Sequence, residues 1–198
     1  DSSVSQRVSF NDDKTIAHTL TITRRHNGGG SRYGFYNRQN SSYVRVLVPD
    51  GAQLVGISGN SKVSFSPLMN YAKMDFARDA DLSALEATYK TDAAKGVTVF
   101  RESGKTGFGF WMLTDPGEIK TVELTYTTPA QQIPEYSLSV QKQPGLELRN
   151  FEFAFRPPAG ARVERSVPEL QNIGDQYIVN GKLDRDVALT VRWVRCAP

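Results

Sequence analysis

The chain has 198 residues, of which 39% are hydrophobic and 10% aromatic, a composition that argues against intrinsic disorder and suits one large or two small domains. Its 24 lysines and arginines against 21 acidic residues leave a net charge of only +3, too small to indicate a nucleic-acid-binding protein. No segment approaches the roughly 18 consecutive apolar residues that a membrane-spanning helix needs.

Alternation of apolar and polar residues predicts strands along most of the chain. In residues 15–23, for example, Ile16, His18, Leu20 and Ile22 share one face while threonines dominate the other. Further strands of this kind are predicted at 42–48, 97–102, 106–114, 121–127, 136–141, 151–156 and 187–193. A period of two is typical of sheets that bury one face and expose the other.

Turn residues mark where these strands end. Ser103-Gly-Lys105 predicts a hairpin, and Asp115-Pro-Gly117 predicts the next turn. Asn180-Gly181 is a strong signal for a two-residue hairpin near the end of the chain. Trp111 and Trp193 each lie in an apolar strand, so we expect both indole rings to be largely buried.

Only residues 79–90 show a residue pattern that predicts a helix. Asp79 is a suitable N-cap, and Leu82, Leu85 and Tyr89 follow at roughly helical spacing. The segment is short, so we expect a single helix or turn that crosses between sheets.

Many short strands with frequent turn signals indicate an all-β fold, an antiparallel immunoglobulin-like β-sandwich, with over a third of the residues in strands and under a tenth in helix. The proline-containing run 128–134 is the best candidate boundary. It predicts a larger N-terminal sandwich, residues 1–130, and a smaller immunoglobulin-like β unit, residues 131–198, packed on it.

Several sequence blocks, in order along nearly the whole chain, are similar to a bacterial family. The blocks lie at 19–23, 42–54, 56–59, 108–111, 116–126 and 136–145. The most specific part is the end of the last block, Ser139-Val-Gln-Lys-Gln-Pro-Gly145. They resemble the C-terminal part of the domain of unknown function family 4012. The resemblance implies an extracellular or cell-surface module of a membrane-anchored envelope protein, with the anchor N-terminal to this chain and no known activity.

Motifs for catalysis and metal binding are incomplete. Residues 104–106, Gly-Lys-Thr, imitate the end of a phosphate-binding loop, but Val99 stands where its first glycine would be. The acidic segment that starts at Asp79 resembles a calcium loop, but Lys90 stands where its last acidic ligand would be.

Histidine and cysteine are scarce. His18, His26 and the single Cys196 are too few for a zinc site or a conventional triad. His18 follows the apolar alternation, so we expect a buried histidine whose hydrogen bonds are satisfied. We therefore expect a protein that is not an enzyme and needs no cofactor or metal.

One segment stands out electrostatically, because residues 14–49 contain no acid. The candidate binding residues lie in or just before its glycine-rich middle, residues 27–38, and combine arginines with aromatic rings: Arg24, Arg25, Arg32, Tyr33, Phe35, Tyr36 and Arg38. The arginines can bind anionic polymers, and the aromatic rings can stack on sugar rings. The alternative is a solvated loop whose aromatic side chains tuck back onto the sandwich.

These observations favour a structural or interaction module over an enzyme. The expected partners are a cell-wall polymer, a carbohydrate or another surface protein, with no nucleic acid and with membrane contact only through the anchor. A carbohydrate-binding module would present Tyr33, Phe35 or Tyr36 as an exposed flat platform, and an envelope hydrolase would place two carboxylates at catalytic separation in a cleft. A rigid spacer would show neither and would have its termini at opposite ends.

Overall fold

The computed structural model describes residues 2–63, 65, 69–130, 134–145 and 148–196. With 58% of residues in strands and 7% in helices, it confirms the predicted all-β class. The strands are β1 (Ser2–Phe10), β2 (Thr15–Arg25), β3 (Asn40–Pro49), β4 (Gln53–Ser58), β5 (Lys90–Asp92), β6 (Val97–Glu102), β7 (Lys105–Thr114), β8 (Ile119–Pro129), β9 (Glu135–Val140), β10 (Leu148–Phe155), β11 (Ala161–Val167), β12 (Gln171–Ile173), β13 (Gln176–Leu183) and β14 (Val187–Arg195).

The described strands form one long sheet and two short ones. The long sheet has the order β12-β13-β10-β1-β2-β8-β4, and the short sheets have the orders β3-β7-β6-β5 and β11-β14-β9. Neighbouring strands pair antiparallel except β1 and β10, which are parallel. The prediction of an antiparallel sandwich is therefore confirmed apart from this pair, and the immunoglobulin-like subtype stays a prediction.

One face of the long sheet carries the alternating apolar residues predicted from the sequence. Leu20 on β2 lies opposite Leu124 on β8 and opposite Gln6 on β1. Gln6 in turn lies opposite Phe153 on β10. Because side chains alternate along every strand, this register puts the apolar sets of β1, β2, β8 and β10 on the same face. The opposite face carries mainly serine and threonine.

Both short sheets cover that apolar face, so the sandwich has two layers. The core under β9, β11 and β14 is built around Phe153, Phe155 and Trp193, and it includes Val8 and Ile16 from the first two strands. The core under β3, β6 and β7 has Phe108, Phe110, Met112, Val122 and Leu124 among its buried residues.

The predicted division near residue 130 stays a prediction. The long sheet runs across it, because β1 pairs with β2 from the proposed N-terminal unit and with β10 from the proposed C-terminal unit. Part of the predicted boundary, residues 131–133, lies outside the described residues.

The predicted hairpin at Asn180-Gly181 is wrong. Both residues lie inside β13, which stays paired with β10 as far as Leu183. Leu183 is almost fully buried, so tertiary pairing prevails over the local turn preference. The tight turns instead lie at Gly174-Asp175, before β13, and at residues 184–186, after it.

The helix prediction is confirmed in a shorter form. Helix α1 spans Ala80–Glu86, and the Asp79 side chain accepts a hydrogen bond from the Leu82 backbone N–H at 2.8 Å. None of the helices in the described residues is long and apolar enough to span a membrane.

Two glycines of β7 make room for aromatic rings on the outer face of their sheet. A Cβ at Gly107 would lie 2.2 Å from the ring of Phe100, and one at Gly109 would lie 2.2 Å from the hydroxyl of Tyr43. Trp111 continues this outer face beside Tyr43 and is only partly buried, which corrects the prediction of a largely buried indole. Trp193, in contrast, is buried as predicted.

We expect Gly107→Ala to lower the free energy of unfolding by about 1–3 kcal/mol, the usual cost of overpacking. The buried Phe100 ring cannot move away freely, because the Arg45 guanidinium and the Tyr89 ring pack on it. Urea unfolding followed by circular dichroism measures the loss.

Gly109→Ala is the matched control in the same strand. Its obstacle is the far end of the Tyr43 side chain, which is 40% exposed and can swing into solvent. We expect a smaller cost, and equal losses for the two variants would contradict the argument.

Candidate functional site

The predicted binding residues lie in one segment, residues 24–38, which we call the arginine–aromatic loop, although its first two residues, Arg24 and Arg25, are the last two of β2. It continues from the end of β2 and leads into β3, with a 3-10 helix at Gly34–Asn37. Backbone hydrogen bonds between His26 and the β7–β8 turn, from His26 N to Glu118 O and from Gly117 N to His26 O, fix its base.

The Asn37 side chain organises the middle of the loop. Its Oδ1 accepts hydrogen bonds from the backbone N–H groups of Gly29 and Ser31, both at 3.0 Å, and its Nδ2 donates to Ser31 O at 2.7 Å. These bonds satisfy backbone groups that a glycine-rich segment would otherwise leave to water. The loop therefore has a defined shape despite its composition.

His26 joins the two ends of the loop. Its Nε2 lies 2.9 Å from Arg38 O, and its Nδ1 lies 3.0 Å from the Gly28 backbone N. A carbonyl only accepts and an N–H only donates, so this geometry assigns the proton to Nε2. Gly28 is required beside it, because a Cβ there would lie 1.9 Å from the Tyr36 carbonyl oxygen.

The three loop aromatics form an exposed cluster. Tyr33, Phe35 and Tyr36 are 47%, 67% and 55% exposed, with ring centroids 4.3–6.4 Å apart. The alternative that these side chains tuck back onto the sandwich is therefore wrong. The rings are mutually tilted, so they present a ridged surface and not one flat platform.

Most arginines of the loop form no ion pair with an acidic side chain in the described part of the chain. The Arg32 guanidinium lies over the Tyr33 ring, 4.6 Å from its centroid, and donates a hydrogen bond to the Tyr33 hydroxyl. Arg24, Arg32 and Arg38 take part in none of the ion pairs among the described residues. Arg25 does have an interaction partner.

A cavity of about 310 Å³ opens at the base of the loop. Its volume lies at the lower end of the range for small-ligand sites. No acidic side chain is among the described residues that line it, which are Ser2, Arg24, Arg25, His26, Asn27, Asn40, Ser42 and Thr114. The cavity therefore offers cationic, amide and hydroxyl groups to a ligand.

Two of these groups lack the partners that buried polar groups usually have. The hydroxyl of Thr114, a residue only 2% exposed, has no hydrogen-bond partner among the described residues. Burial lowers the pKa of the Arg24 guanidinium from its usual value, because part of its hydration is lost. An oxyanion in the cavity would supply a partner for Arg24, whereas the Thr114 oxygen is buried beneath the cavity surface.

Sequence reasoning found Arg24 and Arg25 but missed Thr114, Asn40 and Ser42. Thr114 does carry a signal, because it continues the alternation of Phe108, Phe110 and Met112 where an apolar residue is expected. A polar residue in phase with a buried stripe is a candidate for a buried site.

The structure also corrects the expected acid-free patch. The β7–β8 turn brings Asp115 and Glu118 to the base of the loop, although they are distant in sequence. Asp115 accepts a hydrogen bond from Gln39, and Glu118 accepts one from the Asp115 backbone N–H. These acids reduce the net positive charge at the base of the loop.

The remaining candidates stay apart from this loop. Residues 104–106 lie at the β6–β7 hairpin, and Cys196 is exposed. His18 is buried as expected, but only its Nε2 has a partner, the Thr128 hydroxyl at 2.8 Å; Nδ1 has none among the described residues. In the described part of the chain, no three histidine, cysteine or acidic side chains cluster as metal ligands would.

No protein-family model matches this chain, and no curated protein matches it. One similar solved structure is that of a candidate nutrient-binding protein from Legionella pneumophila, with 8% identity and a TM-score of 0.46. The alignment covers 96% of this chain and 65% of the other, so this chain spans less than two thirds of that protein. A similarity at this level identifies neither a ligand nor a site.

Proposed function

We propose that this chain is a non-catalytic binding module of the bacterial cell envelope that holds an anionic glycan or cell-wall polymer through the arginine–aromatic loop. One observation carries the proposal. Arg24, which is half-buried and has no carboxylate partner among the described residues, lines a cavity, and the exposed aromatic cluster belongs to the same loop.

The two features are adjacent in the fold. Asn27 lines the cavity, and the backbone of Tyr36 packs against the next residue, Gly28. A polymer could therefore place an anionic group against Arg24 and lay a sugar ring on the aromatic cluster. Arginine suits this role because its planar guanidinium binds carboxylate, sulfate or phosphate oxygens in pairs.

The envelope location rests on the resemblance to the domain of unknown function family 4012 and stays a prediction. It is chemically compatible with the loop, because bacterial envelopes display anionic polymers and glycans outside the cell.

We expect the protein to be retained on immobilised dextran sulfate and released as salt is raised, since salt screens exposed charges beyond about 8 Å. The quadruple variant Arg24→Ser, Arg25→Ser, Arg32→Ser, Arg38→Ser should bind about tenfold more weakly or worse, because each exposed ion pair contributes about 0.2–1 kcal/mol. Affinity chromatography and a binding isotherm measure both effects.

The matched control carries the same change in charge elsewhere. It replaces with Ser four exposed arginines outside the loop, Arg162, Arg165, Arg185 and Arg195. We expect this variant to keep its retention, and equal losses in the two variants would show a response to net charge and overturn the proposal. Neutral dextran separates the sugar contribution, which a Phe35→Ser variant should reduce. Melting temperatures should stay close to that of the parent protein.

A further inference from the structure

A second crevice lies between the two short sheets, away from the arginine–aromatic loop. It has a volume of about 400 Å³. Its floor is the long sheet at His18, Tyr126 and Thr128, and its walls are residues 47–50 at the end of β3 and residues 135–139 of β9.

Both walls present strand edges and not strand faces. Side chains alternate between the two faces of a sheet, so consecutive residues can all line one crevice only where the edge of the strand faces it. Five consecutive residues of β9 do so. In agreement, β3 is the outermost strand of its sheet and β9 is the outermost strand of the other.

The hydrogen-bond pattern identifies the free backbone groups of β9. The backbone N–H of Trp193 in β14 donates to the carbonyl oxygen of Pro134, the residue before β9, so Trp193 and Pro134 are a hydrogen-bonded pair. In an antiparallel ladder, hydrogen-bonded residue pairs alternate with pairs that are not hydrogen-bonded. The backbone N–H and C=O groups of Tyr136 and Leu138 therefore bond to β14. The backbone groups of Glu135, Ser137 and Ser139 therefore point into the crevice.

The same reasoning applies to β3. Ser61 N donates to Trp111 O on the side of β7 away from β3, so Trp111 and Tyr43 are not a hydrogen-bonded pair. The pair type repeats every two residues, and Leu47 lies four residues after Tyr43. Its backbone N–H and C=O groups therefore also point away from β7. In the described chain no backbone hydrogen bond joins β3 to β9.

We propose that this crevice binds an extended, uncharged peptide segment of a partner protein, which enters as an additional strand between β3 and β9. Its backbone would pair with Leu47 on one side and with Ser137 and Ser139 on the other, joining the two short sheets into one continuous layer. The row of backbone N–H and C=O groups on β9, which have no partner among the described residues, and the groups of Leu47 on the opposite wall are complementary to a peptide backbone.

The floor determines the side chains that fit. His18 stacks on Tyr126 with centroids 4.5 Å apart, and the buried Nδ1 of His18 has no partner among the described residues. That nitrogen is itself buried, so the peptide side chains meet the surface of the His18 and Tyr126 rings and not Nδ1. Burial disfavours charge at this floor, since it lowers the pKa of His18 to about 4 and raises that of Tyr126 to about 12.

The probe is the pentapeptide acetyl-Thr-Val-Thr-Val-Thr-amide, added to the complete chain. We expect the amides of Leu47, Ser137 and Ser139 to gain protection from hydrogen exchange, measured by NMR. The amides of Tyr136 and Leu138 are the internal control, because they already bond to β14 and should change little.

The matched control is the same peptide with alternate backbone nitrogens methylated, which leaves the protein untouched and removes one ladder of hydrogen bonds. Its affinity should fall at least about tenfold, since each lost bond contributes roughly 1 kcal/mol. Ser137→Pro in the protein should have a similar effect, because it removes an edge N–H that β14 does not use.

Three results would overturn the proposal. The first is no change in protection with the unmodified peptide, and the second is equal binding of the methylated peptide, which would indicate side-chain adsorption. The third is protection of the same amides that rises with protein concentration without peptide, which would assign the crevice to a second copy of this chain.

Discussion

Trp193→Ala should lower the free energy of unfolding by about 3–5 kcal/mol, the usual cost of removing a large buried aromatic side chain. Trp193 is 8% exposed, and its ring centroid lies 4.9 Å from that of Phe10 and 5.7 Å from that of Phe155. These contacts hold the three-stranded sheet of β9, β11 and β14 to the long sheet. Urea unfolding followed by far-UV circular dichroism measures the loss.

Trp111→Ala is the matched control, because it removes the same side chain from a partly exposed position. The Trp111 ring packs against Tyr43 and Phe65 on the outer face of its sheet. We expect a clearly smaller loss of stability. A loss for Trp193→Ala that does not exceed the loss for Trp111→Ala would contradict the assignment of Trp193 to the core.

Stability should also fall as the pH is lowered from about 6.5 to about 4, because of His18. Burial lowers the pKa of folded His18 from 6.5 to about 4. The unfolded chain therefore binds a proton more readily over this range, and acid favours unfolding. The full contribution is present above pH 6.5 and is lost by about pH 4, a change of about 3 kcal/mol at 1.36 kcal/mol per pKa unit.

The control for this prediction is His18→Gln, whose amide can still reach the Thr128 hydroxyl but does not titrate. The difference between the two stability curves isolates His18 from the charged groups at the rim of its crevice, Asp50, Lys105 and Glu135. Asp13 and Asp92 also titrate, but their folded pKa values are lowered below 3.8, so their effect falls at lower pH. Parallel curves for the two proteins would contradict the prediction.

The strands could be predicted because burial on one face leaves a local signature. Ile16, Leu20 and Ile22 alternate with threonines, and the structure buries or half-buries that face as expected. The partners of the strands have no such signature. The parallel pairing of β1 with β10 joins distant segments, and the Asn180-Gly181 turn signal is overridden by the pairing of β13 with the buried strand β10.

The candidate site was predictable in composition but not in geometry. The absence of acids between residues 14 and 49 identified Arg24 and the loop aromatics, since charge is readable residue by residue. The acids of the β7–β8 turn and the orphaned hydroxyl of Thr114 come from elsewhere in the chain, so only tertiary structure brings them to the base of the loop. The role of Asn37 also depends on distances that spacing does not reveal.

The parallel pairing of β1 and β10 has a consequence for synthesis on the ribosome. Among the strands described, β1 is made before all others, yet one of its two neighbours in the sheet is β10, which lies in the last third of these 198 residues. Until then the nascent protein exposes an open strand edge and the apolar side chains Val8 and Ile16, which later pack against β10 and β14. Such a nascent chain is prone to aggregate, so its yield in a cell should depend on chaperones that shield the first strand during elongation.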